Sequence, residues 1–173
     1  MLGVEMSYDI DLIDLCETPL DDDRCAELVA VLNRYGAKQA DTADAYSVRW
    51  ADGTGLSLYS TALFQHGLPT AGLLSPLGGL SERFCDFLYD FARASGCVAR
   101  PDVIPRFILV THPAHLPESF ATDLRIARVS SGRAVLAALS PSYDGWRNQV
   151  RDAARQLNDA LLHEPPEARD RRA

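Results

Sequence analysis

His112-Pro113-Ala114-His115 brings two imidazoles together just after an apolar run, and paired imidazoles are the raw material of metal sites. Such a site needs three or four ligands. No Asp, Glu or Cys in this loop completes the set at a familiar spacing, and the proline between the histidines breaks the i,i+4 arrangement of a zinc-binding helix. A surface loop without metal is the expectation. Ser75-Pro76-Leu77-Gly78-Gly79-Leu80-Ser81 runs into a helix, where glycines expose amide donors to a phosphate. The segment matches neither dinucleotide nor P-loop spacing, lacks a phosphate-reaching lysine, and carries Glu82 where an anion would sit, so it reads as turn chemistry. Asp52-Gly53-Thr54-Gly55 has no second copy to supply a partner carboxylate for acid–base work and reads as a hairpin turn. Cys85 stands among phenylalanines, surroundings that raise a thiol pKa and disarm it. No serine sits in a G-x-S-x-G elbow. Neither a catalytic set, a metal nor a cofactor is therefore expected.

Carboxylates are the remaining chemistry-bearing group. Asp9, Asp11, Asp14, Glu17, Asp21, Asp22 and Asp23 crowd the beginning of the chain. Through Ser60 there are 12 acidic and 4 basic residues, a net of −8, while the rest of the chain carries a net of +1 within a total of −7. A region so negative repels phosphates, which argues against nucleic acid as its partner and suits a basic protein. The alternative is that the acidic surface serves solubility alone.

The elements that must hold these residues follow from periodicity. Tyr8, Ile10 and Leu12 alternate with Asp9 and Asp11, which predicts a half-buried strand over Ser7 to Leu15 with an acidic outer face. Asp21 is a good N-cap, Asp22 and Asp23 complement the positive end of a helix dipole, and Cys25, Leu28, Val29, Leu32 and Tyr35 follow at helical spacing to a stop at Gly36. Tyr46, Val48 and Trp50 alternate up to the Asp52–Gly55 turn, with Leu56 and Leu58 alternating beyond it, which predicts a β-hairpin. Ala71 to Ser75 reads as a further short strand. Ser81 caps a second helix carrying Phe84, Cys85, Phe87, Leu88 and Phe91, with Gly96 as its stop.

Phe107-Ile108-Leu109-Val110 is a continuous apolar run, the mark of a strand buried on both faces, and a short helix is expected near Pro117. Leu124, Ile126 and Arg128, the Ser131-Gly132 pair, then Val135, Ala137 and Leu139 suggest a second hairpin, although alanine-rich Arg133 to Leu139 also suits a helix. Trp146, Val150, Ala153, Leu157 and Leu161 form a helical stripe that ends at Glu164-Pro165-Pro166. Hairpins outnumber crossovers. The expected fold class is α+β, an antiparallel or mixed sheet with two to three helices packed mainly on one face, in one domain over residues 1–163 with a disordered tail over 164–173.

Composition agrees with a globular domain: 173 residues, 47% hydrophobic and 24% charged. No apolar run is long enough to span a membrane, and the first residues lack the basic and apolar regions of a secretory signal. Met6 is a second candidate start. Cys16, Cys25, Cys85 and Cys97 contain no CxxC pair, so free thiols and a cytoplasmic location are expected, and no spacing demands a disulfide.

Met6-Ser-Tyr-Asp-Ile-Asp-Leu resembles the opening of several small bacterial immunity proteins, and the acidic α+β build is similar to theirs. The resemblance implies a non-catalytic inhibitor that occludes a cognate toxin through acidic and aromatic surface. The residues expected to meet the partner are Asp9, Asp11, Asp14, Asp22, Asp23, Tyr46, Trp50 and Asp52, since Tyr and Trp are favoured interface anchors. One alternative is a small-ligand binder or enzyme with a pocket between sheet and helices, near His66, His112 or His115. Another is a structural subunit assembled through the edge of the first hairpin.

Overall fold

The structure is a computed structural model. It describes residues 7–16, 21–39, 45–59, 64–65, 68–69, 72–102, 106–118 and 124–162. In chain order the elements are β1 (Ile10–Ile13), α1 (Asp22–Tyr35), β2 (Lys38–Gln39), β3 (Ala45–Arg49), β4 (Gly55–Tyr59), β5 (Phe64–Gln65), β6 (Leu68–Pro69), β7 (Gly72–Leu77), α2 (Glu82–Ser95), β8 (Val98–Pro101), β9 (Phe107–Val110), a 3-10 turn (Pro113–His115), β10 (Arg125–Arg128) and α3 (Gly132–Leu162). β5 and β6 form a small hairpin of their own. The other strands make one mixed eight-stranded sheet in the order β10-β9-β8-β1-β7-β4-β3-β2, and the fold is α+β.

Local chemistry sets the helix boundaries. Asp21 accepts from the backbone N of Arg24 and Ser81 from that of Phe84, and both helices end on glycines in the left-handed region, Gly36 at φ 73° and Gly96 at φ 76°. Alternation sets the strands. Ile10 and Leu12 of β1, Leu56 and Leu58 of β4, Leu74 of β7 and Leu109 of β9 point to one face, where they meet Leu28 and Leu32 of α1, Phe84, Phe87 and Phe91 of α2, and Val135 and Leu139 of α3 in one core. Each phenylalanine of α2 is fully buried, which stabilises the fold by roughly 1.5–3 kcal/mol apiece. On α1 the buried stripe takes Val31 in place of the expected Val29, which is 42% exposed.

The apolar run of β9 is buried on both faces because it serves two cores. Phe107 and Leu109 face the helices, while Ile108 and Val110 join Val98 in a smaller cluster on the opposite face, covered by Ile13, Leu15, Leu116 and Leu124. Elsewhere that second face is mixed: Ser47, Ser57 and Ser75 stand in cross-strand register on β3, β4 and β7, beside Asp9, and Tyr59 and Leu73 pair one step along.

The second hairpin is a correction. β10 pairs with β9 in parallel, and the chain from Gly132 onward is helical. Val135 and Leu139 satisfy both periods, since a spacing of four fits a strand face and a helix face alike. Ser131 caps the helix through the backbone N of Ala134, and Gly132 permits a close approach, because a Cβ there would lie 2.6 Å from Asp86 Cα. The short helix expected near Pro117 is instead the 3-10 turn at Pro113–His115, held by the His112 ring accepting from Ala114 N. The tail expected beyond residue 163 lies outside the described residues, as do Met6 and His66.

Candidate functional site

The expected contact residues separate into three places. At the first, β1 ends at Ile13, and Asp14 caps the following turn by accepting from Cys16 N at 3.1 Å. Arg24, one turn into α1, donates to the carbonyl of Ser95 at the end of α2, next to the start of β8 where Val98 pairs with Ile13. Asp14 and the first turn of α1 therefore share one end of the sheet, and both Asp14 and Arg24 lie close enough to act electrostatically on Cys97 and His115. Asp21, Asp22 and Asp23 are exposed there. Asp21 is committed to capping; among the described residues Asp22 and Asp23 pair with no cation.

Asp9 and Asp11 occupy a second place, the helix-free face of the sheet. Asp9 accepts from the hydroxyls of Ser7 and Ser75, and Asp11 Oδ2 is bound by both Nε and Nη2 of Arg100, at 3.1 and 2.6 Å.

The third place is the β3–β4 hairpin. The register runs Ile10–Leu74–Leu58 across β1, β7 and β4, and Gly55 pairs with Leu77, so the turn at Asp52 lies at the end of the sheet away from Asp14. Asp52 is exposed and accepts from the hydroxyl and the backbone N of Thr54, which hold its carboxyl below the usual range. Tyr46 and Trp50 are 9% and 8% exposed and belong to the core. Trp50 Nε1 donates to the Tyr35 carbonyl at 2.9 Å, and the Arg83 guanidinium covers the ring at 4.9 Å from its centroid. The placement of these two rings on a docking surface is thus corrected: their alternating face is the one that meets the helices.

The histidine loop lies near the acidic end. The rings of His112 and His115 are 5.7 Å apart, and His115 Nδ1 is 3.2 Å from Thr111 Oγ1. Burial, with the neighbouring His112 and Arg24, lowers the His115 pKa, while Asp14 opposes the shift. Among the described residues no three His, Cys, Asp or Glu side chains are grouped to hold a metal. Cys85 and Cys97 are buried, and burial pushes both thiols up to about 12, which leaves them inert as nucleophiles. All four cysteines are free.

The structure also brings together residues that no spacing had singled out. A cavity of about 190 Å³ lies between the first residues of β9 and β10 and the first third of α3, lined also by Arg106 and Arg125. Its visibility in the sequence depended on knowing that β9 and β10 run parallel, because only then do the two arginines start neighbouring strands at the same end. No helix among the described residues is long and apolar enough to cross a membrane. Comparison with models of protein families, with curated proteins and with solved structures found no match.

Proposed function

We propose that this chain is a non-catalytic binding protein of the immunity type, which blocks a basic toxin by docking the acidic end of its fold against it. The observation that carries the reading is at the start of α1, where Asp22 and Asp23 are exposed at the same end of the sheet as Asp14 and, among the described residues, pair with no cation. The helix dipole favours these carboxylates locally, and among the described residues neither is tied up in an ion pair, so their field extends into solvent. Carboxylates in that state accelerate encounter with a cationic surface and penalise wrong partners. The docking group this supports is narrower than the residues named from the sequence. Asp14, Asp22 and Asp23 form it, whereas Asp11 is held by Arg100 and Asp52 lies at the far end.

Co-expression with the product of the adjacent gene tests the reading. Protection of cells from that product by the native chain, lost on Asp22→Lys/Asp23→Lys with the fold intact, is the expected result. Absence of a toxic neighbour, or equal protection by the variant, overturns it.

A further inference from the structure

At the end of the sheet opposite the acidic helix start, two arginines stand at the beginnings of neighbouring strands. β9 is antiparallel to β8, β8 is antiparallel to β1, and β10 is parallel to β9, so β9 and β10 both begin at the end where β1 begins. Arg106 stands immediately before β9, and Arg125 opens β10 in register with Phe107. Both arginines are exposed, and among the described residues neither pairs with a carboxylate.

The cavity of about 190 Å³ beside them has a sheet wall of Phe107 and Ala127 and a helix wall of Ala137, Ala138 and Pro141. Ala137 and Pro141 are exposed and Ala138 is half-buried, so this wall is built of small side chains at the edge of the helix–sheet contact. Ser142 also borders it, but its hydroxyl is already used, donating to the Leu139 carbonyl at 2.8 Å and meeting Tyr8 Oη at 2.8 Å. No acidic residue lines the cavity. What it offers a ligand is therefore an apolar interior under two guanidinium groups.

We propose that this cavity is a binding site for a small amphipathic carboxylate, an aromatic or short aliphatic acid. Its apolar body sits between Phe107 and the alanine wall, and its carboxylate lies between Arg106 and Arg125. Guanidinium forks match carboxylates in geometry and charge. An apolar cavity of about 150 Å³ suffices for benzene, so a single ring or a chain of about six carbons fits this one. Inorganic phosphate would use the arginines but leave the apolar walls unfilled. The site stands apart from the acidic docking end and does not depend on it.

Titration of the isotopically labelled full chain with phenylacetate, 2-phenylethanol and inorganic phosphate, each at constant ionic strength, tests the proposal through the amide shifts of Ala127, Ala137 and Ala138. Phenylacetate is expected to give saturable shifts, with 2-phenylethanol and phosphate each weaker by about tenfold or more, the scale of one charge-assisted hydrogen bond. Arg125→Gln is expected to weaken phenylacetate by a similar factor. Ala137→Leu, which fills the cavity and leaves both arginines in place, is expected to abolish binding. Thermal melts establish that each variant is folded, and Arg106→Gln provides the same reading from the other arginine. The proposal is overturned if phenylacetate produces no saturable shift at these amides, if either control ligand binds as well, or if the folded arginine variants bind phenylacetate unchanged.

Discussion

Asp11 and Arg100 face each other across the β1–β8 pair, with Arg100 Nη2 2.6 Å from Asp11 Oδ2. A carboxylate that strand alternation sends to the outer face is thereby neutralised within the chain. The side chains are 32% and 45% exposed, so water screens the pair. Asp11→Asn is expected to cost less than about 1 kcal/mol in urea unfolding and to leave partner docking unchanged. A loss well above that would place the pair among the fold's main supports.

Two glycines of α3 should respond in opposite directions to the same substitution. At Gly132 a Cβ would meet Asp86 backbone, 2.6 Å from Cα and 2.7 Å from N, so Gly132→Ala is expected to destabilise by about 2 kcal/mol or more. At Gly145, exposed within the helix, a Cβ would meet nothing within 4 Å, and Gly145→Ala is expected to stabilise by about 0.5–1 kcal/mol. Thermal or urea unfolding of both variants checks the pair; equal shifts would contradict the packing described for the start of α3.

Tyr8 and Ser142 make a second asymmetric pair. Ser142 donates to the Leu139 carbonyl, so its bond with Tyr8 takes the tyrosine proton, and Tyr8 is 3% exposed. Ser142→Ala leaves that buried hydroxyl without its partner and is expected to cost about 1–3 kcal/mol, more than Tyr8→Phe, where Ser142 keeps its helix bond. The double variant should recover part of the Ser142→Ala loss. Additive losses in the double-mutant cycle would deny the coupling.

Alkaline pH should weaken the fold. Burial raises Tyr8 from its ordinary 10.0 to about 12, and Cys85 and Cys97 from 9.0 to about 12; Tyr35 is also raised, by burial and by its bond to Asp90. In the unfolded chain these groups release protons from about pH 9 upward, while the folded chain holds them to about 12. The folded state then binds more protons than the unfolded, so stability falls as pH rises through that window and is fully present below it. Urea midpoints should drop from about pH 8.5 to about pH 11, and the Cys85→Ala/Cys97→Ala variant, weaker throughout, should show a shallower slope. A midpoint constant over this range would contradict the burial of these groups.

Much of the fold was legible because its signals are local. Asp21, Ser81, Gly36 and Gly96 announce helix ends by chemistry confined to a few residues, and the unbroken Phe107–Val110 run declares a strand with a core on each side. Period failed where two periods coincide, as at Val135 and Leu139. The site was less legible. Alternation puts Tyr46 and Trp50 on one face of a hairpin without saying that the helices cover that face. The partner of Asp11 is 89 residues away, and Arg106 and Arg125 meet only through a parallel pairing that crosses a long connection.

The most direct test of the account is the association rate with the adjacent gene's product across ionic strength. Docking through Asp14, Asp22 and Asp23 predicts a rate that falls steeply with added salt, and about tenfold or more at low salt on Asp22→Lys/Asp23→Lys, while Asp52→Lys at the far end changes little. A rate insensitive to salt, or equal effects from the near and far charge reversals, would contradict docking at the start of α1.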